Sequence, residues 1–594
     1  MVLTFQIPRA KVDRRRNSDT LNTTLVDSQV RGRDQLSLSG PHFGRSPRLF
    51  ARLGCLSCFA WTCASVAMSQ TPPEPIRIKW WVIDLGVPCE CTGYACELSS
   101  VATSVNECGI VVGQTQKIHG IVPCSRQAFA WSLCGGMFGL PTRNMQTLRS
   151  LCSPPLPTMT QSEAWHIGDS GEVVGAAISG AATLLGGFRW DLSTLAQAGT
   201  EPDCDLGTVD HEYIRIAQST AFGVTGSAPV VIAGTDNPAS PPRAAWMTTA
   251  LGPASTVQLA DLGFGAQARD VERLAGNVVR VVGSVADAFG NEFPCLWENP
   301  TSTTAPVTLA TAAVGGGTGG WGTAHAVNPS GDVCGLAVSG SFGAPEHAHA
   351  WLMPSLAPID LGALVTGQVP SRAMALSPQG AGGATTIVGW TDDTGPLGLI
   401  WWTAGGPSPS FSSVTANDLV LRTPPAALPD CWGNAVPSVL RLYSVNSRGW
   451  MAGEGQYPLG RTRAIILVPS PCQADIDGDN DVDAADLSAL LAAWGACTAL
   501  PCASDLTADG AVNAADVAEL LNQWGRACTL DTLCGQQGCS QPAADRNDTH
   551  PAVQRAIEAL GFEQLTEFAS WLTELPAEQA RSASEHLFSI LTQE

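Results

Sequence analysis

From Trp80 to Pro469 the chain repeats one pattern seven times at intervals of about fifty-five residues: a polar turn, a Val-Val-Gly-like run, a variable stretch and a short apolar run ending in Trp. A unit this short cannot cover its own apolar faces, so copies must stack on one another. The Val-Val-Gly element ends at Gly113, Gly175, Gly234, Gly283, Gly335, Gly389 and Gly453. The Trp run follows at Trp131, Trp190, Trp246, Trp297, Trp351 and Trp401, with Ile466 in that place in the seventh copy. A second marker, Asp-Leu-Gly, closes several units: Asp205 to Gly207, Asp261 to Gly263, Asp360 to Gly362 and a degenerate Asp418-Leu419.

Each unit consists of short runs rich in Val, Ile, Ala and Trp between Gly, Pro, Asn and Ser, which is strand and turn chemistry. The turns Asn106 to Gly109, Asn328 to Gly331 and Asn446 to Gly449 put Gly where φ can be positive, as in a hairpin. Four strands per unit and this period predict a mainly β fold, a seven-repeat β-propeller over residues 80–469. One copy of the closing marker, Asp84 to Gly86, instead opens the array, and the last unit lacks a closing strand. Trp80 to Gly86 is therefore expected to complete the seventh blade and close the ring.

The formal charge is −21, and Lys occurs three times. Nucleic acid is excluded as a natural partner by that balance. Residues 1–67 read as a leader ending in a signal peptide, with a short apolar run from Cys55 to Ala67 behind Arg45, Arg48 and Arg52 and cleavage expected after Ala67. No run is long and apolar enough for a membrane span. The expected location is extracellular, by a bacterial Sec-type route. Seventeen of the twenty cysteines lie beyond the expected cleavage point, which argues for disulfides in an oxidising compartment with at least one thiol left over.

Residues 472–528 form a different module. Asp475, Asp477, Asp479, Asp481, Asp483 and Asp486 stand at positions 1, 3, 5, 7, 9 and 12 of a twelve-residue loop. A hard cation needs six to eight oxygens, and alternate residues of a tight loop can turn theirs inward. The second copy supplies Asp505, Thr507, Asp509, the Ala511 carbonyl, Asn513 and Asp516. Two Ca2+ sites follow, the first stronger because it carries more charge. Position 6 demands a left-handed backbone, which Asn480 tolerates and Gly510 suits. Behind each loop comes a short amphipathic helix, with Leu487, Leu490, Leu491 and Trp494 matched by Val517, Leu520, Leu521 and Trp524. Residues 529–550 read as a linker and 551–594 as a helical tail.

Units of the form Asp-Leu-Gly, then Asn-x-x-Gly-x-Val-Val-Gly, then Ala-Phe-x-Trp resemble the HAF family of extracellular repeats, most clearly in Asp84 to Gly86, Asn106 to Gly113 and Ala128 to Trp131. That resemblance implies an extracellular repeat scaffold and carries over no catalytic residues. The duplicated loop and helix resemble dockerin type I modules, which implies calcium and a cohesin-like or other secreted or surface protein as partner. The hydroxylic pair that dockerins often show at positions 10 and 11 is replaced here by Ala484-Ala485 and Ala514-Ala515. Cys472 and Cys502 precede their loops and Cys497 and Cys528 follow their helices, so the expected disulfides are Cys472 with Cys497 and Cys502 with Cys528, one per loop-helix unit.

No nucleophile elbow, phosphate loop or zinc-protease helix occurs. His347 and His349 alternate on one strand and could approach a metal, but no third ligand is fixed by spacing and they read as surface residues. Asp169, Asp236, Asp332 and Asp392 fall near turns and read as turn formers. The expected function is a secreted, non-catalytic scaffold in which a calcium module attaches a propeller to a protein or glycan assembly. The alternative is a secreted polysaccharide-degrading enzyme, which a paired-carboxylate or Tyr/His constellation at one propeller mouth would favour.

Overall fold

A computed structural model describes most residues from 79 to 535, interrupted chiefly at 87–95, 149–158, 193–209, 237–243, 250–255, 312–319, 339–344 and 423–435. The expected leader, most of the linker, the helical tail and the marker at Asp205 to Gly207 lie outside the described residues.

Six antiparallel sheets of four strands and one sheet of five form seven propeller blades. The first begins with Cys96–Val105, Ile110–His119, Val122–Ser132 and Gln146–Leu148, and the order repeats through the sixth, which ends at Ser412–Thr415. The innermost strands are Cys96–Val105, Met159–Ile167, Ser219–Val224, Ala266–Arg273, Gly322–Val327, Ser371–Leu376 and Ser438–Val445. Each touches the innermost strand of the next blade, and the last touches the first, so the ring is closed. Closure is made by the strand expected to make it: Lys79–Asp84 pairs antiparallel with Arg461–Pro469, with Trp80 opposite Pro469 and Asp84 opposite Ile465. A fifth strand in this blade, Val420–Arg422, was not expected; it runs parallel to Lys79–Asp84 on its outer side.

The recurring motifs each solve a packing problem. In every blade the innermost strand is bulged just after the residue opposite the Val-Val-Gly glycine: Ala102 faces Gly113, Ala164 faces Gly175, Ala221 faces Gly234, Ala268 faces Gly283, Ala324 faces Gly335, Ala373 faces Gly389 and Leu442 faces Gly453. The bulge presses a backbone carbonyl of the inner strand into the space a Cβ would take. A Cβ on Gly283 would stand 1.8 Å from the Gln267 carbonyl oxygen, and one on Gly113 would stand 2.0 Å from that of Val101. The glycine is thus dictated by its neighbour's bulge.

The Asn of the Asn-x-x-Gly turn serves two blades. Asn106 Oδ1 accepts from the amides of Cys108 and Ile110, while its Nδ2 donates to the Gly168 carbonyl in the next blade. Asn446 donates likewise to the Asn106 carbonyl, and Asn328 to that of Ser377. Gly109, Gly331 and Gly449 take positive φ, as expected of these turns.

The Trp residues are wedged between blades. Trp131, Trp190, Trp246, Trp297, Trp351 and Trp401 are all fully buried. A Trp buries roughly 150–250 Å², an upper estimate of about 4–6 kcal/mol each. Trp297 Nε1 donates to the Ala260 carbonyl, Trp351 Nε1 to that of Ala310 and Trp401 Nε1 to that of Leu361, each at the end of the preceding blade. Two of these acceptors lie in or beside an Asp-Leu-Gly marker, so the two motifs meet across the blade interface.

The second module contains α1 (Ala484–Ala492), α2 (Ala514–Asn522) and α3 (Leu530–Gly535). Asp483 and Asn513 cap α1 and α2, and Asp486 and Asp516 complete capping boxes from the third helical position. The segment after α1 pairs with the second loop, Gly495 opposite Val512 and Ala496 opposite Ala511. The segment after α2 returns to the first loop, with Gly525 N donating to the Val482 carbonyl and Cys528 N to that of Asn480.

This exchange overturns the expected disulfides. The bonds are Cys472–Cys528 and Cys497–Cys502, each joining the approach to one loop with the exit from the other unit's helix. A bond within one unit would need those segments side by side, whereas the exit strand of each unit lies on its partner's loop. A third bond, Cys134–Cys534, joins the first blade to α3 across 400 residues. Around it, Leu530 and Leu533 share one buried cluster with Trp131, Leu133 and Met145 of the propeller, and the start of the expected linker is therefore packed. Gln473 bonds the Lys79 backbone amide and carbonyl, fixing the module to the closing strand as well.

Candidate functional site

The bulge in each innermost strand leaves one residue without a partner across the ladder and turns it toward the ring axis. Those seven residues, Thr103, Trp165, Phe222, Arg269, His325, Met374 and Tyr443, all line one central cavity of about 780 Å³. Two aromatic walls stand in it. Trp165 and Phe222 lie 5.7 Å apart with Arg269 4.8 Å above the Phe222 ring, and Trp390 lies 5.3 Å from Tyr443.

Toward the hairpin turns the lining becomes ionisable. His166 Nδ1 lies 3.4 Å from Asp270 Oδ1, and about a third of the imidazole surface remains open, its side chain being 32% exposed. Burial works against the imidazolium, but the Asp270 carboxylate, with Glu272 and Asp169 behind it, prevails and holds the His166 pKa above its ordinary value. His325 shows the opposite balance: burial, reinforced by Arg269, brings it down to about 4.

Glu107, Asp169 and Glu272 stand at the mouth on the first, second and fourth blades. On the third blade Gly226 leaves a gap; a Cβ there would lie 3.3 Å from Asp169 Oδ2 and 3.8 Å from Glu272 Oε2. Two carboxylates therefore flank one open space. Burial pushes Glu272 up to about 7, helped by the Asp270 and Asp169 charges, and burial also raises Asp169 and Glu107. With its pKa near neutrality, the Glu272 carboxyl can both accept and donate a hydrogen bond or a proton there.

In the first twelve-residue acidic loop, Asp475, Asp477 and Asp486 bring one oxygen each to within 4.8 Å of one another; in the second, Asp505, Asp509 and Asp516 do the same. Asp475, Asp486, Asp505 and Asp516 are buried, and Asn480 and Gly510 take the left-handed backbone that position 6 requires. The other expected ligands lie outside these triads. Asp479 Oδ1 accepts from Asp481 N, Asp483 and Asn513 cap their helices, and the Thr507 hydroxyl donates to Asp516. Asp481 and the Ala511 carbonyl hold position 7 of their loops. Burial raises the pKa of Asp486 and Asp516, with a smaller push in the same direction from Asp477 and Asp505.

Two expectations are corrected. His347 and His349 are buried, not surface residues: His347 Nδ1 bonds the Asp360 carboxylate and His349 Nδ1 lies 3.0 Å from the His347 carbonyl oxygen. Asp332 accepts from Asn328 Nδ2 within its own turn, as a turn former does, and reaches beyond it as well, whereas the Asp169 side chain reaches out of its turn. Asp169 accepts from Glu107 N on the preceding blade, and Asp332 accepts from Met353 N and from Gln379 of the next. The repeat pattern does not reveal the channel, because its lining comes from seven strands distant in the chain, at a bulge position that differs in every copy.

No family model matches the chain, and no curated protein does. Among solved structures it is similar to the Trypanosoma rangeli sialidase in complex with 2,3-difluorosialic acid, at 8% identity and a TM-score of 0.29, over 55% of this chain and 55% of that one. It is also similar to the BP39L lectin from Burkholderia pseudomallei, at 9% identity and a TM-score of 0.29, over 67% of this chain and 97% of that one. A protein of unknown function from Dyadobacter fermentans matches at 11% identity and a TM-score of 0.32, over 66% of this chain and 98% of that one. The chain spans little more than half the length of the sialidase.

Proposed function

We propose that the protein is a secreted, non-catalytic binding scaffold: a HAF-like propeller joined to a dockerin-like module that two calcium ions order. The observation that carries this reading is the matched pair of loops, in which buried carboxylates at positions 1 and 12 converge behind a left-handed residue at position 6. The donors are all oxygens, as a hard divalent cation requires. Asp475, Asp477 and Asp486 would hold the first ion and Asp505, Asp509 and Asp516 the second. Bound calcium would neutralise the crowded carboxylates and so stabilise the capping boxes they build.

The module's role is attachment to a secreted or surface partner. Its exposed side is that of α1, where Ala485, Ser488 and Ala492 face solvent, whereas on α2 Ala514 is buried and Ala515 and Ala518 are half-buried. Calorimetry of the chelated full-length protein tests the metal: two calcium ions are expected, the first loop filling first, and Asp475→Asn should abolish the tighter event. No uptake at millimolar calcium overturns the reading. Capture of a secreted partner should also disappear with chelator.

A second reading, a secreted polysaccharide-degrading enzyme, is favoured by the facing carboxylates of Asp169 and Glu272 in the channel mouth. Turnover of a polysaccharide by the wild type and its loss in Glu272→Gln would establish that reading.

A further inference from the structure

The seven blades form an internal comparison. Where the fold alone dictates a residue, the copies agree: the glycine opposite the bulge is present in all seven, and the residue before the bulge is Ala in six. At the bulge itself no two copies agree, and only Thr103 is small. A structural position under the same constraint in each blade would repeat. This position diverges into aromatic, cationic and imidazole side chains around one cavity, which is the pattern of an asymmetric binding site built on a symmetric frame.

We propose that the central channel binds a neutral, hydroxyl-rich ring, the terminal unit of a saccharide. The inference rests on the binding-scaffold reading of the propeller and is independent of its calcium. The cavity, about 780 Å³, has room for one or two such rings. Trp165 and Phe222 offer flat apolar surface to the C–H face of a ring. Asp169 Oδ2 and Glu272 Oε2, both within 4 Å of the space a Cβ on Gly226 would take, are placed to accept adjacent hydroxyls. Trp165 Nε1 is buried and has no hydrogen-bond partner among the described residues, which leaves a donor for a ligand oxygen. The lining mixes signs: Asp169, Asp270 and Glu272 oppose an anion, and Arg269 with His166 opposes a cation. A neutral polyol satisfies both sets, since each hydroxyl donates and accepts.

The test is calorimetry of the calcium-loaded full-length protein against a panel of neutral oligosaccharides, with their sulfated and uronic-acid counterparts as comparison. Saturable binding of at least one neutral saccharide is expected. Asp169→Asn and Trp165→Ala should each weaken it about tenfold or more. Trp165→Phe, which keeps an aromatic face but loses the N–H donor and the second ring, should weaken it less than Trp165→Ala; Leu262→Ala, at an exposed residue outside the channel lining, should leave it unchanged. Near-UV circular dichroism establishes that each variant is folded. The proposal is overturned if no neutral saccharide binds, if charged saccharides are preferred, or if the channel variants bind as wild type. Because Asp475→Asn should lose calcium and keep the saccharide, failure of the calcium reading and failure of this one are separable.

Discussion

Replacing Gly283 with Ala puts a methyl group 1.8 Å from the Gln267 carbonyl oxygen, 2.8 Å from its carbonyl carbon and 3.1 Å from Ala268 Cα. All three are backbone atoms, so no rotamer change relieves the clash. To restore ordinary contact the two innermost strands of the fourth blade must part at the bulge. Overpacking of this kind costs about 1–3 kcal/mol, and each ladder hydrogen bond broken adds about 0.5–1.5 kcal/mol, so the expected loss is about 3–5 kcal/mol. That is a large part of an ordinary net stability of about 5–15 kcal/mol. The control is Gly263→Ala nearby, where φ is +90° and no atom lies within 4 Å of the added Cβ. Only backbone strain of about 1–2 kcal/mol applies there. Urea unfolding followed by tryptophan fluorescence compares the two through their midpoints and slopes. If Gly283→Ala unfolds within about 1 kcal/mol of wild type, or costs less than Gly263→Ala, the account of the Val-Val-Gly glycine as a space requirement is wrong.

Further outcomes follow from the same structure. Peptide mapping without reduction should recover Cys472–Cys528, Cys497–Cys502 and Cys134–Cys534; a Cys472–Cys497 peptide would contradict the exchanged arrangement. The carboxyl of Glu272 is raised from 4.5 to about 7, so its protonated form favours the folded state; its contribution is complete below pH 4.5 and disappears as pH rises through about 7. Glu272→Gln should therefore flatten the fall in stability over that window, and an unchanged slope would count against the burial assigned to this group. Trp81→Ala removes a fully buried side chain from the closing strand and should cost about 3–5 kcal/mol, measured by the same unfolding assay. Calcium should raise the apparent stability of the module in proportion to the logarithm of its concentration, and a midpoint insensitive to calcium would refute the linkage.

The ring was legible because its frame repeats. Seven glycines, six tryptophans and the displaced Asp84 to Gly86 recur for reasons of space that every blade shares, and periodicity in the chain reports them directly. The loops were legible too, because twelve consecutive residues carry their own geometry, down to the positive φ of Asn480. The channel was not. Trp165, Asp169 and Glu272 come together only through the curvature of the closed ring, and each sits where its copies disagree. The disulfides failed for a related reason: Cys472 and Cys497 are close along the chain, but the twofold exchange of exit strands gives each the other unit's partner. Nothing in the spacing announces such an exchange.

The strand that closes the ring is also the first to be made. Lys79–Asp84 carries Trp80, Trp81, Val82 and Ile83, buried on both faces once paired, yet its partner Arg461–Pro469 follows roughly 380 residues later. At about 5–20 residues per second, synthesis leaves this sticky segment without its mate for about 20–80 s. The sequence of six blades separates the two strands, and until they meet the first is an unpaired, aggregation-prone ribbon. Biogenesis of this fold thus calls for something to shelter that strand until its mate arrives, and yield on expression should depend more on this holding step than on the strength of any blade.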